Sequence, residues 1–385
     1  MKVNAYFSVY GSGLGHAARC VWLAKGLGLE SIFSTWGEAK EFVINNGFKA
    51  IAATPLDAVW SEEGRISFRK STRGFPRTPN IISVQLREEL KNIKMLRPDL
   101  VISDSRLTPL VASTIRKVPS ILIINQPQVL MPLEDSAFQK LIQKSFAQSL
   151  SAFWDLAHSV IVPDLPPPYT ISGASLEGLI ALKRKIKYAG FFVHRPKERG
   201  RDIRLRFNLA PRLIYAPISG PAPTRAFLVD LLIKAMAFLP TGVSLVVSKG
   251  DTSGSISIDR HGQHMILGWD DLRRDFMAQA DLIVCRGGQT TIGEAILNGK
   301  PMAIFPIPLH GEQVENAKKS AKMGFARVFN QYTPDPKGLA TDLVRMMEDG
   351  EFALRAEGIR DVAISFDAQN IVAQEVYELI SRQPA

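Results

Sequence analysis

The chain has 385 residues, too long for one ordinary domain and enough for two, each with its own core. Its 46% hydrophobic and 22% charged residues exclude a disordered or low-complexity chain, and two cysteines, Cys20 and Cys285, exclude a disulfide framework or a cysteine metal site. The formal net charge of +10 brings two partners into question, nucleic acid and an anionic membrane surface.

The first residues hold one lysine and a short apolar run ending at Gly11, which reads as a buried strand and not a signal peptide. No stretch approaches the ~20 apolar residues of a membrane span, so a cytoplasmic chain is expected. Strand Val3–Tyr10, helix Ala17–Leu27, strand Ser31–Ser34, helix Glu38–Asn46 and strand Ala50–Ala53 follow in order. Next come helix Ile81–Met95 and strands Leu100–Ser103 and Ser120–Asn125. A long helix is expected over Phe138–Trp154, a strand at Ser159–Val162, and a loop at Leu165–Tyr169, where three prolines interrupt the chain.

The pattern then restarts. Leu213–Ile218 reads as a strand, Ala226–Phe238 as a helix, Val243–Ser248 and Met265–Leu267 as strands, and Asp270–Gln279 as a helix. Strand Leu282–Cys285, helix Thr291–Asn298, strand Met302–Phe305, helix Val314–Met323 and a final helix Gln369–Ser381 complete the reading. Strands alternating with helices, with continuous β-branched runs, imply parallel sheets covered on both faces. The expected fold is therefore α/β, with two doubly wound Rossmann-like domains facing across a cleft. The expected boundaries are 1–190, a linker at 191–210, a second domain at 211–365, and a helix within 366–385 able to pack on the first.

Two stretches concentrate the positive charge. The loop 64–80 holds Arg65, Arg69, Lys70, Arg73 and Arg77 without an acid, and a second basic stretch runs from Lys183 to Arg206. Either, taken alone, reads as a solvated loop. Trp60, Phe68 and Phe75 near the first suit it to anionic lipid headgroups.

The turn Gly11-Ser12-Gly13-Leu14-Gly15-His16 joins the first strand to the first helix, where glycines admit a ligand and helix N–H groups attract an anion. A dinucleotide fingerprint needs glycine where His16 stands and an acid some twenty residues on, where Thr35 and Trp36 stand, so a nicotinamide enzyme is disfavoured. His16 is a candidate general base; the alternative is a histidine that caps the helix.

In the second half, Gly287-Gly288 turns the chain between a buried strand and a helix that opens with Gln289, Thr290 and Thr291. That N-terminus can hold a diphosphate through backbone N–H groups and threonine hydroxyls. Glu294, a turn inside, can reach a ribose diol or merely complement the helix dipole. Glu312 and Gln313, after the next strand, suit sugar hydroxyls or a helix cap. No Asp-x-Asp sequence is present, so no metal site is expected.

The loop ending in His16 and the run Asp281–Gly324 resemble the glycosyltransferase family that adds N-acetylglucosamine to the bacterial peptidoglycan lipid precursor. The resemblance implies a GT-B fold and an inverting, metal-independent transfer with no cofactor, from a UDP-sugar bound by the second domain to a hydroxyl acceptor on the first. By position it implies Glu294 on the donor ribose, Gly287–Thr291 on the diphosphate, Glu312 and Gln313 on the sugar, and His16 as base, with Ser12, Gly13 and Gly15 on the acceptor side. Ser219 and Gly220 stand where the family has a second phosphate loop, here stiffened by a flanking proline. Gly268–Leu272 stands where the base is read, but UDP over GDP or dTDP rests on the resemblance. It also makes a lipid-linked or glycolipid acceptor, and a peripheral place at the inner face of the membrane, plausible. Two rivals remain: a nucleotide-sugar epimerase or hydrolase of similar fold, and a non-catalytic nucleic-acid-binding protein, for which no recognition module stands out.

Overall fold

A buried parallel strand needs apolar side chains on both faces and a crossover helix to return the chain. The computed structural model shows that arrangement twice. It describes residues 3–56, 78–127, 148, 150–176, 182–196, 202–220, 222–250, 257–268, 270–308, 310–332 and 335–382. Of these, the residues up to Phe192 together with those from Phe366 onward form one compact unit, and Val193–Ser365 form the other.

The first unit contains β1 (Asn4–Val9), α1 (Leu14–Leu27), β2 (Glu30–Thr35), α2 (Gly37–Asn45), β3 (Lys49–Ala52), α3 (Thr78–Leu96), β4 (Leu100–Asp104), α4 (Thr108–Arg116), β5 (Ser120–Ile123), β6 (Ser159–Val162) and β7 (Ile186–Tyr188). The strands lie in the order β3-β2-β1-β4-β5-β6-β7, all parallel. The order reverses between β1 and β4, whose registers pair Ala5 with Leu100 and Val9 with Asp104. Such a reversal opens a crevice at the strands' carboxyl ends, where open α/β sheets bind ligands. Helix α1 buries Ala17, Cys20, Val21 and Ala24, a stripe at helical spacing, against Phe7, Phe33 and Ile102.

The second unit contains β8 (Arg212–Pro217), α5 (Ala222–Met236), β9 (Val243–Ser248), β10 (Ile258–His261), β11 (His264–Leu267), α6 (Arg273–Gln279), β12 (Leu282–Cys285), α7 (Gln289–Leu297), β13 (Met302–Ile304), α8 (Gly311–Lys322), β14 (Ala326–Val328), α9 (Pro336–Glu348) and α10 (Gly350–Ala363). Its sheet runs β10-β11-β9-β8-β12-β13-β14, parallel except for the β10–β11 edge hairpin. Here the order reverses between β8 and β12. The last helix, α11 (Ala368–Ser381), returns to the first unit. It buries Val372, Val376 and Leu379 in the same core as α1 and salt-bridges Glu375 to Lys187.

Most expected strands and helices appear within a few residues of their sequence bounds, and Leu165–Tyr169 is a loop and turn. Of the expected helix Phe138–Trp154, only 148 and 150–154 are described, and these are helical. The basic loop lies almost wholly outside the described residues, as do Trp60, Phe68 and Phe75. Within the stretch expected as a linker, Ile203 and Phe207 are buried and Phe207 stacks on Phe276 at 5.9 Å.

Candidate functional site

Each unit carries a polar cluster at its strand-order reversal. In the first, Gly13 precedes α1 with φ 78°, a left-handed backbone that favours glycine. The chain can thus turn sharply off β1 and place His16 in the first turn of α1. The β4 register sets Asp104 at the end of the neighbouring strand, 88 residues away in sequence, and His16 Nδ1 lies 2.7 Å from its Oδ1. The Asp104 side chain is wholly buried, whereas that of His16 is 26% exposed.

Arg19, one helical turn after His16, grips the same carboxylate with Nε at 2.5 Å and Nη2 at 2.6 Å, and donates Nη1 to Asn125 Oδ1 at 2.9 Å. Burial by itself pushes the Asp104 carboxyl up, but Arg19 and then His16 outweigh it and hold the group well below the usual carboxylate range. An ionised Asp104 accepts from His16 Nδ1–H, which selects the tautomer whose Nε2 carries the lone pair. Arg19 Nη2 lies 3.1 Å from the same Nδ1, a contact that cannot also be a hydrogen bond in that tautomer. Tyr10 packs edge-on against both His16 and Trp36, at 5.4 and 5.2 Å, and walls the imidazole on one side. Ser12 and Gly15 are half-buried and Gly13 exposed, on the same turn.

In the second unit, β12 delivers Arg286-Gly287-Gly288 to the start of α7. Gly288 is the N-cap and supplies no side-chain cap, so nothing from its side chain claims the first N–H groups of the helix. An added Cβ at Gly287 would lie 2.3 Å from the carbonyl oxygen of Gln313, so only glycine fits there. Asn316 Nδ2 donates to Gly287 O at 3.0 Å, and Gln313 Oε1 accepts from Ile307 N at 3.0 Å. These contacts lock the Gly287 turn onto the first turns of α8 and bring Glu312 and Gln313 beside it. Ser219, exposed, and Gly220, half-buried, follow β8, the strand adjacent to β12.

Glu294 is not isolated. Arg273, at the start of α6, donates Nε and Nη2 to its carboxylate at 2.9 and 2.5 Å, and Nη2 to Thr291 Oγ1 at 3.1 Å. The Thr291 hydroxyl is thus engaged and buried, as is Gln289, while Thr290 is half-buried. A shallow cavity beside Glu294 is lined by His194, Arg195, Arg273, Arg274, Met277 and Asn298. In the loop expected to read a base, Asp270 accepts from Tyr215 OH and from Leu272 N.

Among the described residues the most deeply buried cation is Arg286, 2% exposed. It donates to Phe305 O at 3.1 Å, to Gln331 Oε1 at 2.6 Å and to Thr224 O in the first turn of α5, while its Nε has no partner. Burial lowers its pKa to about 10, which leaves it charged at neutral pH. Asp104, Arg19, Arg273 and Arg286 were not singled out from sequence; the available signal was a charged residue at or just beyond the carboxyl end of a buried strand, as in Asp104 and Arg286. Among the described residues, no three His, Cys, Asp or Glu side chains cluster as metal ligands do.

Residues 241–369 match the glycosyltransferase family 28 C-terminal domain. An uncharacterized glycosyltransferase of Methanosarcina acetivorans is 25% identical over 391 residues, covering 100% of both chains. The UDP-N-acetylglucosamine–N-acetylmuramyl-(pentapeptide) pyrophosphoryl-undecaprenol N-acetylglucosamine transferase of Rhizobium johnstonii is 31% identical over 109 residues, 28% of this chain and 29% of that enzyme. Among solved structures, the glycosyltransferase VinC in complex with dTDP aligns with a TM-score of 0.65 at 14% identity, covering 99% of this chain and 100% of that one. The two doubly wound sheets are those of the GT-B fold.

Proposed function

We propose that this GT-B glycosyltransferase moves a sugar, with inversion and without a metal ion, from a UDP-sugar to a hydroxyl acceptor. The observation that carries the reading is the His16–Asp104 pair at the reversal of the first sheet, taken together with the match of residues 241–369 to the family 28 C-terminal domain and the uncapped helix start at the Gly287 turn. His16 Nε2 takes the acceptor's proton; the freed oxygen forms a bond to the anomeric carbon as the bond from that carbon to the diphosphate breaks. The electron pair leaves on the β-phosphate, where the N–H groups at the start of α7 offset the charge. Attack opposite the leaving group inverts the anomeric centre.

UDP is favoured by the 31% identity to a UDP-N-acetylglucosamine-dependent enzyme, while the dTDP bound to VinC makes thymidine nucleotides the natural competitor. In this reading Glu294, braced by Arg273, receives the ribose, and Glu312 and Gln313 face the sugar, a hexose or N-acetylhexosamine. The acceptor is lipid-linked or a glycolipid, approached through the basic loop 64–80 at an anionic membrane surface. Among the described residues, no helix is long and apolar enough to cross a membrane.

Thermal stabilisation by UDP, GDP, dTDP, ADP and NAD, on wild type and Glu294→Ala, tests the donor side. A ligand at ~100 times its dissociation constant adds roughly 2.7 kcal/mol to the folded state. UDP is expected to stabilise the wild type and to lose its effect in the variant. Stabilisation by NAD, or by no nucleoside diphosphate, refutes the reading.

A further inference from the structure

Arg286 poses an electrostatic problem that the protein by itself leaves open. Among the described residues no carboxylate pairs with it, and its three acceptors are two backbone carbonyls and the amide oxygen of Gln331. A buried guanidinium held only by neutral dipoles, with Nε unsatisfied, lacks the counter-charge that makes burial of a cation tolerable. Two other carboxylates of this unit are engaged elsewhere: Glu294 with Arg273, and Asp270 with Tyr215.

The position of the charge identifies what completes it. Arg286 stands between β12 and Gly287, and its guanidinium reaches Phe305 just after β13 and Thr224 in the first turn of α5. Helices α5 and α7 both begin at the carboxyl ends of adjacent strands, so two positive helix ends and one unpaired cation share a corner of the sheet. Such a corner is matched to a compact polyanion.

We propose that the counter-charge of Arg286 is the diphosphate of the sugar nucleotide, which the buried guanidinium attracts through its field while holding the Gly287 turn and the start of α5 in place. This rests on the donor reading above and adds a positioning residue to it. The guanidinium is too deeply buried to donate to the ligand; it acts through the turns it ties together and through a charge that surrounding carbonyls orient but do not cancel. In transfer, its field favours the electron pair arriving on the β-phosphate as the bond to the anomeric carbon breaks and that carbon bonds to the acceptor oxygen.

The decisive variant is Gln331→Glu, which keeps Arg286 and places a carboxylate at the position of its 2.6 Å amide partner. Binding of inorganic pyrophosphate and UDP is measured by calorimetry, and of uridine by ligand-observed NMR. The variant is expected to lose about tenfold in affinity for pyrophosphate and UDP, or about 1.4 kcal/mol, with uridine unchanged. A purely structural Arg286 predicts an unchanged ratio of UDP to uridine affinity, and that result overturns the proposal.

Arg286→Lys and Arg286→Met give the second arm, since the first keeps the charge and the second removes it. The Lys variant is expected to hold the UDP-to-uridine ratio within roughly threefold of wild type while the Met variant loses about tenfold. Equal ratios in the two also overturn the proposal, and this pair decides if Gln331→Glu lowers the thermal midpoint. If the wild type binds neither UDP nor pyrophosphate, the donor reading itself has failed. If it binds both and Gln331→Glu binds them equally well, only the role of Arg286 has failed.

Discussion

Replacing Asp104 by Asn tests the polar cluster of the first unit most directly. The substitution keeps the shape but removes the charge that Arg19 and His16 share. The Arg19 side chain is 6% exposed, so its buried guanidinium loses the carboxylate that grips it, and the new amide sets a donor against donors. Breaking a buried pair from one side costs about 3–5 kcal/mol. Because the chain has two units and need not unfold in one step, the assay is amide hydrogen exchange read peptide by peptide. Peptides covering β1 and β4 are expected to lose about 100-fold in protection at pH 7, the equivalent of roughly 3 kcal/mol. Peptides of β8 and β12 serve as internal controls.

A double variant, Arg19→Met with Asp104→Asn, removes both charges and is expected to recover roughly 2 kcal/mol relative to the sum of the single losses. The acid side carries its own sign. Since the folded Asp104 carboxyl lies below its ordinary value, its stabilisation is complete above pH ~4 and is lost as pH falls through the folded value. Wild type and Asp104→Asn should therefore converge at low pH. A single variant within fivefold of wild-type protection at pH 7, or strict additivity in the double variant, refutes the account.

Further outcomes follow from the two sites. His16→Ala should lower kcat by about 10²–10⁴-fold, with the nucleotide-induced thermal shift unchanged; an equal loss of that shift would mean His16 acts in folding or donor binding. Gly287→Ala drives a methyl into the Gln313 carbonyl and should cost about 1–3 kcal/mol while weakening UDP binding, read by thermal shift and calorimetry. Neutralising Arg65, Arg69, Lys70 and Arg73 together should abolish preferential binding to anionic over neutral vesicles in a flotation assay. Equal, weak binding of the wild type to both vesicle types would end the membrane reading.

Most of the parallel strands were legible because they are short, continuous apolar runs; β4 (Leu100–Asp104) and β12 (Leu282–Cys285) are buried throughout. Elements without that signal were missed. Helix α4 is nine residues with a proline in its first turn and four β-branched side chains, β7 is three residues, and β10 is exposed at every position. The same division holds at the sites. The Gly-rich turns, His16 and Glu294 announce themselves because their chemistry is local in sequence. Asp104 and Arg273 do not, because each gains its meaning from a partner 88 or 21 residues away that only strand order and helix packing bring within reach. Arg286 was hidden differently, since nothing in Cys-Arg-Gly-Gly says whether the arginine points outward or into the sheet.

The return of α11 to the first unit has a consequence for biosynthesis. A ribosome emits β1 through β7 and the whole of Val193–Ser365 before the residues of α11 that complete the core shared with α1. The second unit, continuous in sequence, can close as it emerges, whereas the first must wait with its core incomplete until Val372, Val376 and Leu379 leave the exit tunnel. Nascent chains stalled before residue 366 should therefore bind chaperones through the half that was made first, and release should coincide with the arrival of the last helix.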